Sequence, residues 1–168
     1  MELPNRKSNR LRTHDYSSAG SYFITICVKE RKQILSEIIC DRENKLKIKL
    51  LSCGVVADKY IKRLDEFYDD VCVDEYIIMP DHIHLLVTVL SGQSGMPVPT
   101  ASELERDNKN SVIARFVSTF KRFCNKEYGE NVWQSRYYDH VIRNQDDYNE
   151  KSEYIKNNAY KWQNINMT

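Results

Sequence analysis

The sequence predicts an α+β fold built around an antiparallel sheet, and three patterns support this prediction. Segments rich in β-branched and aromatic residues, which are typical of strands, occur at 21–28, 71–78, 82–90 and 137–142. Apolar residues recur at helical spacing in two other segments, near 52–67 and 112–123. The second and third strands are separated only by a short break that contains Pro80, which suits a turn between antiparallel neighbours.

Each element has its own signal along the chain. The first strand follows Gly20, and residues 33–49 predict a hairpin that turns near 41–44. The first helix begins near Ser52. Its apolar residues at helical spacing are Val56, Tyr60, Leu64 and Phe67, and those of the second helix are Val112, Phe116, Phe120 and Phe123. Residues 91–110 are rich in Gly, Pro, Ser and polar residues and are expected to form a long loop.

Without the hairpin and a last helix, the elements follow the order β-α-β-β-α-β. This is the ferredoxin-like order, in which two helices cover one face of an antiparallel sheet. The other face is left for a ligand or for the last helix. Such sheets also bind nucleic acids through exposed aromatic residues, so the fold by itself also suits a nucleic-acid-binding protein that does no chemistry.

The composition is that of a globular protein. Of the 168 residues, 41% are apolar and 29% are charged, so we expect one domain, 1–168, with a basic N-terminal arm at 1–20. No run approaches the ~18 apolar residues of a membrane span, and residues 1–12 lack the core of a signal peptide, so we expect a cytoplasmic protein. The 5 cysteines form no C-x-x-C pair, which argues against a zinc knuckle or a disulfide framework.

His82 and His84 point most directly to chemistry. Side chains two residues apart on a strand project from the same face, so these imidazoles can hold one divalent cation, while Ile83 and Leu85 face the other side. The alternative interpretation is a pair of half-buried strand histidines without a ligand.

A last helix is predicted after Asn144, which serves as its N-cap and precedes two acidic residues. The face that we expect to be packed contains Tyr148, Ser152, Ile155 and Ala159. The stripe that we expect to be polar and exposed contains Asp147, Lys151, Tyr154 and Asn158. Tyr154 is then an accessible hydroxyl, and the Asn158 side chain lies one turn beyond it as an oxygen ligand.

Together these residues resemble the single-tyrosine transposases of the HUH endonuclease superfamily, most closely the REP-associated tyrosine transposases and their insertion-sequence relatives. The matching segments are 21–26, 79–84, 132–144, 153–155 and 157–158. The resemblance implies that His82, His84 and Asn158 hold the metal and that Tyr154 attacks a DNA phosphate. Insertion-sequence members have glutamine in place of Asn158, and many members have proline in place of Ala159.

The resemblance also implies the substrate and the reaction. The expected partner is single-stranded DNA with a hairpin, and cleavage would leave a 5′-phosphotyrosine and a free 3′-OH that allow rejoining. Mg²⁺ or Mn²⁺ is the expected cofactor. A phosphodiesterase that uses water is a further alternative and would not need Tyr154. The rival nucleophiles are Tyr137, Tyr138 and Tyr148. The sequence leaves open whether the protein is a monomer or a homodimer.

The charge distribution predicts where DNA binds. The net charge is only +1, but residues 109–126 contain bases and no acid, whereas residues 65–75 contain acids and no base. The acidic segment would keep DNA off the opposite side. The residues that we expect to contact phosphates are Arg10, Arg12, Arg115, Lys121, Arg122, Lys126 and Arg136. Trp133 and Tyr138 are expected to stack on bases or, alternatively, to pack in the core. His140 is expected to be structural.

Overall fold

Six strands and three α-helices form the part of the chain that the computed structural model describes, residues 19–43, 45–90 and 111–166. The strands are β1 Gly20–Cys27, β2 Ser36–Cys40, β3 Leu46–Leu50, β4 Val71–Ile78, β5 His82–Val89 and β6 Tyr138–Val141. The helices are α1 Ser52–Lys62, α2 Val112–Tyr128 and α3 Gln145–Asn166. The predicted arm, apart from its last two residues, and the predicted loop at 91–110 lie outside the described residues. None of the helices within these ranges has the length and apolar character to cross a membrane.

The main sheet has the strand order β4-β5-β1-β6, and each neighbouring pair is antiparallel. The strands β2 and β3 form a separate hairpin. Because α1 and α2 connect the strands in the order β-α-β-β-α-β, the ferredoxin-like prediction is confirmed.

The hydrophobic core lies between one face of the sheet and the helices α1 and α2. Tyr22, Ile24 and Ile26 alternate along β1 and are fully buried, and Ile83 and Leu85 occupy the same face of β5. Phe116 and Phe120 of α2 belong to the same cluster. The alternate side chains of β1 and β5 therefore project from the other face of the sheet.

The helix α3 packs on this other face, where it contacts β4, β5 and the hairpin strand β3. Its predicted packed face is buried at Ser152, Ile155 and Ala159. The prediction that the second stripe is exposed is wrong, because Tyr154 is half-buried and Asn158 is only 4% exposed. The helix contacts both the sheet and the hairpin, so a wider arc of its surface is covered than a single packed stripe would require.

The first helix is shorter than its apolar spacing predicts. It ends at Lys62, and a 3-10 turn at Leu64–Glu66 follows, so Leu64 and Phe67 lie beyond it. The residues of α1 that are buried are Cys53, Gly54, Ala57 and Ile61. Phe67 instead lies at the surface against Phe123, with ring centroids 5.6 Å apart.

Small residues allow α1 to approach the chain that precedes the hairpin. The carbonyl oxygen of Leu35 accepts a hydrogen bond from the amide of Leu51 at 2.9 Å, and a Cβ at Gly54 would overlap that same oxygen. Only glycine therefore fits at position 54 without moving the backbone.

We expect Gly54→Ala to lower the free energy of unfolding by about 1–3 kcal/mol, because the new methyl group must displace the Leu35 carbonyl. The matched control is Val55→Ala, which changes an exposed neighbour on the same helix and should change stability by less than about 0.5 kcal/mol. Urea denaturation of the three proteins measures both values. Equal stability of the Gly54 variant and the wild type would contradict the close approach.

Candidate active site

A cleft of about 400 Å³ lies between α3 and the face of the sheet that carries the histidines. The residues that line it are Thr25, Arg31, Asp81, His82, His84, Tyr154, Asn158, Lys161 and Trp162. The structure thus brings together the four residues to which the sequence assigned metal binding and nucleophilic attack. Their chemical roles stay predictions at this point.

The two histidines point their Nε2 atoms at one another, 3.0 Å apart. The carboxylate of Asp81 accepts a hydrogen bond from Nδ1 of His82. Nδ1 of His84 lies 2.8 Å from Oγ1 of Thr25, which is its partner in the β1–β5 register. Because both Nδ1 atoms have partners elsewhere, both Nε2 atoms are directed into the cleft.

Both imidazoles are neutral at physiological pH. Burial lowers the pKa of His84 to about 3, and the nearby His82 and Arg31 add to the effect. Burial also lowers the pKa of His82, although hydrogen bonding to Asp81 opposes the shift. A neutral imidazole keeps the lone pair that a metal ligand requires.

This donor set fits a divalent cation. Adjacent ligand atoms about 2.1 Å from an octahedral ion lie about 3.0 Å apart, which is the separation of these Nε2 atoms. In the tautomer with both Nδ1 atoms protonated, both Nε2 lone pairs are available to one shared cation. Asn158 adds an amide oxygen on the helix side. Among the described residues, no group of three His, Cys, Asp or Glu side chains offers a metal site.

Tyr154 is held by ring contacts on the sheet side of α3. Its ring meets His84 edge-on, with centroids 5.3 Å apart, and Phe23 edge-on at 5.9 Å. Nζ of Lys161 lies 4.6 Å from the centroid of the same ring. These contacts fix the direction of the phenol relative to the histidine pair.

Polar contacts outside the cleft anchor α3. Ser152 donates a hydrogen bond to Glu75 at 2.7 Å, and Lys156 forms an ion pair with the same carboxylate at 3.0 Å. At the start of the helix, Nε2 of His140 lies 2.9 Å from the Asp147 carboxylate. Asn144 caps the helix by accepting a hydrogen bond from the amide of Asp147. These contacts restrain rotation of α3 about its axis and so support the position of Tyr154.

The basic residues of α2 are not close to the cleft, because α2 packs on the opposite face of the sheet. The side chains of Arg115, Arg122 and Lys126 are exposed there. Lys121 donates hydrogen bonds to the carbonyl oxygens of residues 134 and 136, so it supports the chain before β6. The acidic segment does not mark the far side either, since Glu75 binds α3 on the face of the cleft.

The other residues predicted to bind DNA lie in different surroundings. Trp133 is 2% exposed and packs against Phe120, so it is a core residue and its prediction as a stacking platform is wrong. Arg136 is exposed, and Tyr138 is 51% exposed. Tyr138 pairs with Thr25 in the register of β1 and β6, which places both on the same face of the sheet. Arg10 and Arg12 lie outside the described residues.

Five cleft residues were not identified from the sequence as members of the site. Thr25 and Asp81 lie inside the matching segments at 21–26 and 79–84, and the strand alternation could have placed Thr25 on the face of the histidines. Lys161 and Trp162 follow Tyr154 by two helical turns. Arg31 carries no local signal in the sequence. Of the rival nucleophiles, Tyr137, Tyr138 and Tyr148 do not line the cleft.

We expect the stability of the metal-free protein to fall as pH drops below about 6.5, the ordinary pKa of histidine. In this range the unfolded chain binds a proton at His84, whereas the folded chain resists protonation until its pKa of about 3. Unfolding in EDTA near pH 7 and near pH 5 measures the loss. His84→Gln should lose less stability than wild type over this interval, and equal losses would contradict a buried neutral His84.

Comparison with known proteins gives related chains and a related structure. No protein-family model matches the chain. An uncharacterized protein of Haemophilus influenzae is 30% identical over 170 residues, which cover 96% of this chain and 92% of that protein. The REP-associated tyrosine transposase of Escherichia coli K12 is 23% identical over 146 residues, which cover 87% of this chain and 70% of that protein.

A solved structure supports the same relationship at the level of the fold. It shows a REP-associated tyrosine transposase bound to a REP hairpin and resembles this chain with a TM-score of 0.60 and 20% identity. The similarity covers 96% of this chain and 74% of the solved chain. Sequence similarity over 87% of the chain and the common fold lead to one conclusion: the chain is similar to the REP-associated tyrosine transposases in both sequence and architecture.

Proposed function

We propose that this protein is a divalent-metal-dependent transposase that cleaves and rejoins single-stranded, hairpin-bearing DNA through a covalent bond to Tyr154. The observation that supports this best is that Tyr154 lines the same cleft as His82 and His84, whose Nε2 atoms point toward each other. A nucleophile beside a cation site is the arrangement that phosphoryl transfer requires.

In the proposed reaction, the phenol oxygen of Tyr154 attacks the phosphorus of one DNA phosphodiester. The bond between that oxygen and phosphorus forms as the bond from phosphorus to the 3′ oxygen breaks. The phenol loses its proton, and the departing 3′ oxygen gains one. The products are a 5′-phosphotyrosine and a free 3′-OH. Because one phosphodiester replaces another, a 3′-OH can reverse the step and join strands without ATP.

His82, His84 and Asn158 would hold the metal. A bound Mg²⁺ or Mn²⁺ would draw charge from the non-bridging oxygens of the phosphate and stabilise charge on the leaving oxygen. Asp81 and Thr25 contribute by fixing the Nδ1 side of each imidazole, which leaves the Nε2 lone pairs directed into the cleft. The ring contacts of Phe23 and His84 orient the phenol.

The position of the cleft favours a single strand as the substrate. The phosphate must enter between a helix and a sheet that lie in contact, and a stiff duplex is too wide to place one phosphate there. A single strand can bend into the cleft, and the exposed Tyr138 on the same face of the sheet offers a surface for base stacking. The solved relative is bound to a REP hairpin, which supports a hairpin as the neighbouring element.

Two other functions make different predictions for the same cleft. A nucleic-acid-binding protein without chemistry would bind DNA and form no covalent product. A phosphodiesterase that uses water would cleave DNA without Tyr154.

We expect Tyr154→Phe to abolish the covalent DNA adduct and to leave DNA binding within about twofold of wild type, because only the attacking oxygen is lost. Labelled single-stranded hairpin DNA, analysed on denaturing gels, detects the adduct. The matched control is Tyr160→Phe, which removes an exposed hydroxyl from the same helix and should keep full activity.

An adduct that persists in the Tyr154 variant, or that maps to Tyr138, would show that the nucleophile is wrongly assigned. Cleavage without any adduct in the wild type would favour the water-using phosphodiesterase. The same gels compare a perfect duplex of equal sequence, which should remain uncut.

We expect His82→Ala and His84→Ala each to eliminate cleavage, and EDTA to do the same to the wild type until Mn²⁺ is restored. Asn158→Ala should have a milder effect, because water can replace a neutral oxygen ligand. Titration of Mn²⁺ into each variant, followed by calorimetry, gives a readout that does not depend on activity. Full cleavage in EDTA, or unchanged Mn²⁺ affinity in both histidine variants, would rule out this metal site.

A further inference from the structure

To bind a DNA phosphate, the cleft needs cationic side chains of its own, because the basic residues of α2 lie on the other face of the sheet. Its two histidines are neutral at physiological pH, so within the described part of the chain the cationic side chains that line it are Arg31 and Lys161. Nζ of Lys161 lies over the Tyr154 ring. Arg31 belongs to the turn Lys29–Arg31, which follows β1.

The backbone at Arg31 is strained. Glu30 and Arg31 are successive non-glycine residues with left-handed φ values of 55° and 56°, within the short turn Lys29–Arg31 that follows β1. Side chains with a Cβ adopt this conformation at an energetic cost. Backbone strain of this kind persists where surrounding structure enforces it, and it is concentrated at ligand-binding sites.

Neighbouring segments do enforce this turn. The amide of Val28 donates to the carbonyl of Asp81 at 2.9 Å, and the amide of Lys29 donates to the carbonyl of Val132 at 2.8 Å. Beyond the turn, the amide of Leu35 donates to the carbonyl of Pro80 at 3.0 Å. The turn is therefore tied on both sides to the Pro80–Asp81 segment that precedes the histidines.

The ion pair of Arg31 does not account for the strain. Its guanidinium lies 3.4 Å from the Asp81 carboxylate, and its side chain is 54% exposed. Long, partly exposed pairs of this kind contribute little to stability. The pair does place Arg31 beside His82, because the other oxygen of the same carboxylate binds Nδ1 of His82.

We propose that Arg31 binds the DNA phosphate that Tyr154 attacks, an inference that rests on the proposed function. The guanidinium presents a planar fork of donors that matches two phosphate oxygens, and lysine presents only a point charge. The contact with Asp81 places the guanidinium near His82. Arg31 thus fixes the phosphate between the histidine pair and the phenol and stabilises the charge that develops on it.

The test compares Arg31→Gln with wild type and with the matched control Arg63→Gln. Arg63 lies at the end of α1, on the other side of the sheet, and pairs with Glu66. We expect Arg31→Gln to slow adduct formation on single-stranded hairpin DNA about 100-fold or more, the usual effect of removing a donor to transition-state charge. Arg31→Lys should recover part of the rate, and the control should match wild type.

Binding to DNA with a methylphosphonate at the cleaved position identifies the contact. Arg31→Gln should weaken binding of ordinary DNA several-fold and bind the methylphosphonate DNA as tightly as wild type does, because the charge that Arg31 contacts is already gone. An equal loss on both DNAs, or no loss on either, would overturn the proposal. Where the wild type forms no adduct, the methylphosphonate is placed at one position after another along the single strand, so the same binding comparison decides the role of Arg31 even if the proposed function fails.

Arg31→Gly separates binding from folding. Glycine adopts the left-handed conformation without a Cβ, so this variant should be at least as stable as wild type in urea denaturation and yet lose binding and adduct formation as Arg31→Gln does. A stable Arg31→Gly variant with wild-type activity would show that the turn, and not the guanidinium, is what the site requires.

Discussion

The register between β1 and β5 is the constraint on which the site depends. In this register Thr25 lies opposite His84 and Cys27 lies opposite His82. Ile24, Ile26 and Leu85 are buried on one face, so the histidines must project from the other. A shift by one residue would bury both imidazoles in the apolar core and expose the isoleucines, so the hydrophobic effect fixes the register strongly. The same force that folds the sheet therefore positions both histidines.

The second face of the sheet shows how a polar site can be buried. The imidazoles lose water when α3 covers them, which lowers their pKa and keeps them neutral. Asp81 and Thr25 supply the hydrogen bonds that water would have made on the Nδ1 side. Among the residues that the structure describes, the hydrogen-bonding partner of each Nε2 atom is the facing imidazole. Burial therefore leaves two imidazole nitrogens facing each other in the cleft, and these are the proposed metal-binding atoms.

One helix carries both the residues that anchor it and the proposed nucleophile. Ser152 and Lys156 hold α3 to Glu75, while Ile155 and Ala159 bury apolar surface beneath it. Tyr154 and Asn158 directly precede Ile155 and Ala159 in the sequence. They are thereby turned toward the histidines. An anchored helix restricts the phenol more than a loop would, and in-line attack on a phosphate depends on such positioning.

The sequence by itself determined which residues share a face. Strand alternation placed His82 and His84 together, helical spacing placed Tyr154 one turn before Asn158, and Asn144 marked the start of the helix, because these relations depend only on local backbone geometry. The order of the elements also indicated the sheet topology. The tertiary structure decided what each face meets. It placed the basic residues of α2 on the face of the sheet opposite the cleft and buried Trp133 in the core. It also covered the helix stripe that contains Tyr154, and it enforced the strained turn of Arg31 through hydrogen bonds to Asp81 and Val132. Periodicity carries no information about contacts between segments distant in the chain, so packing alone settled these features.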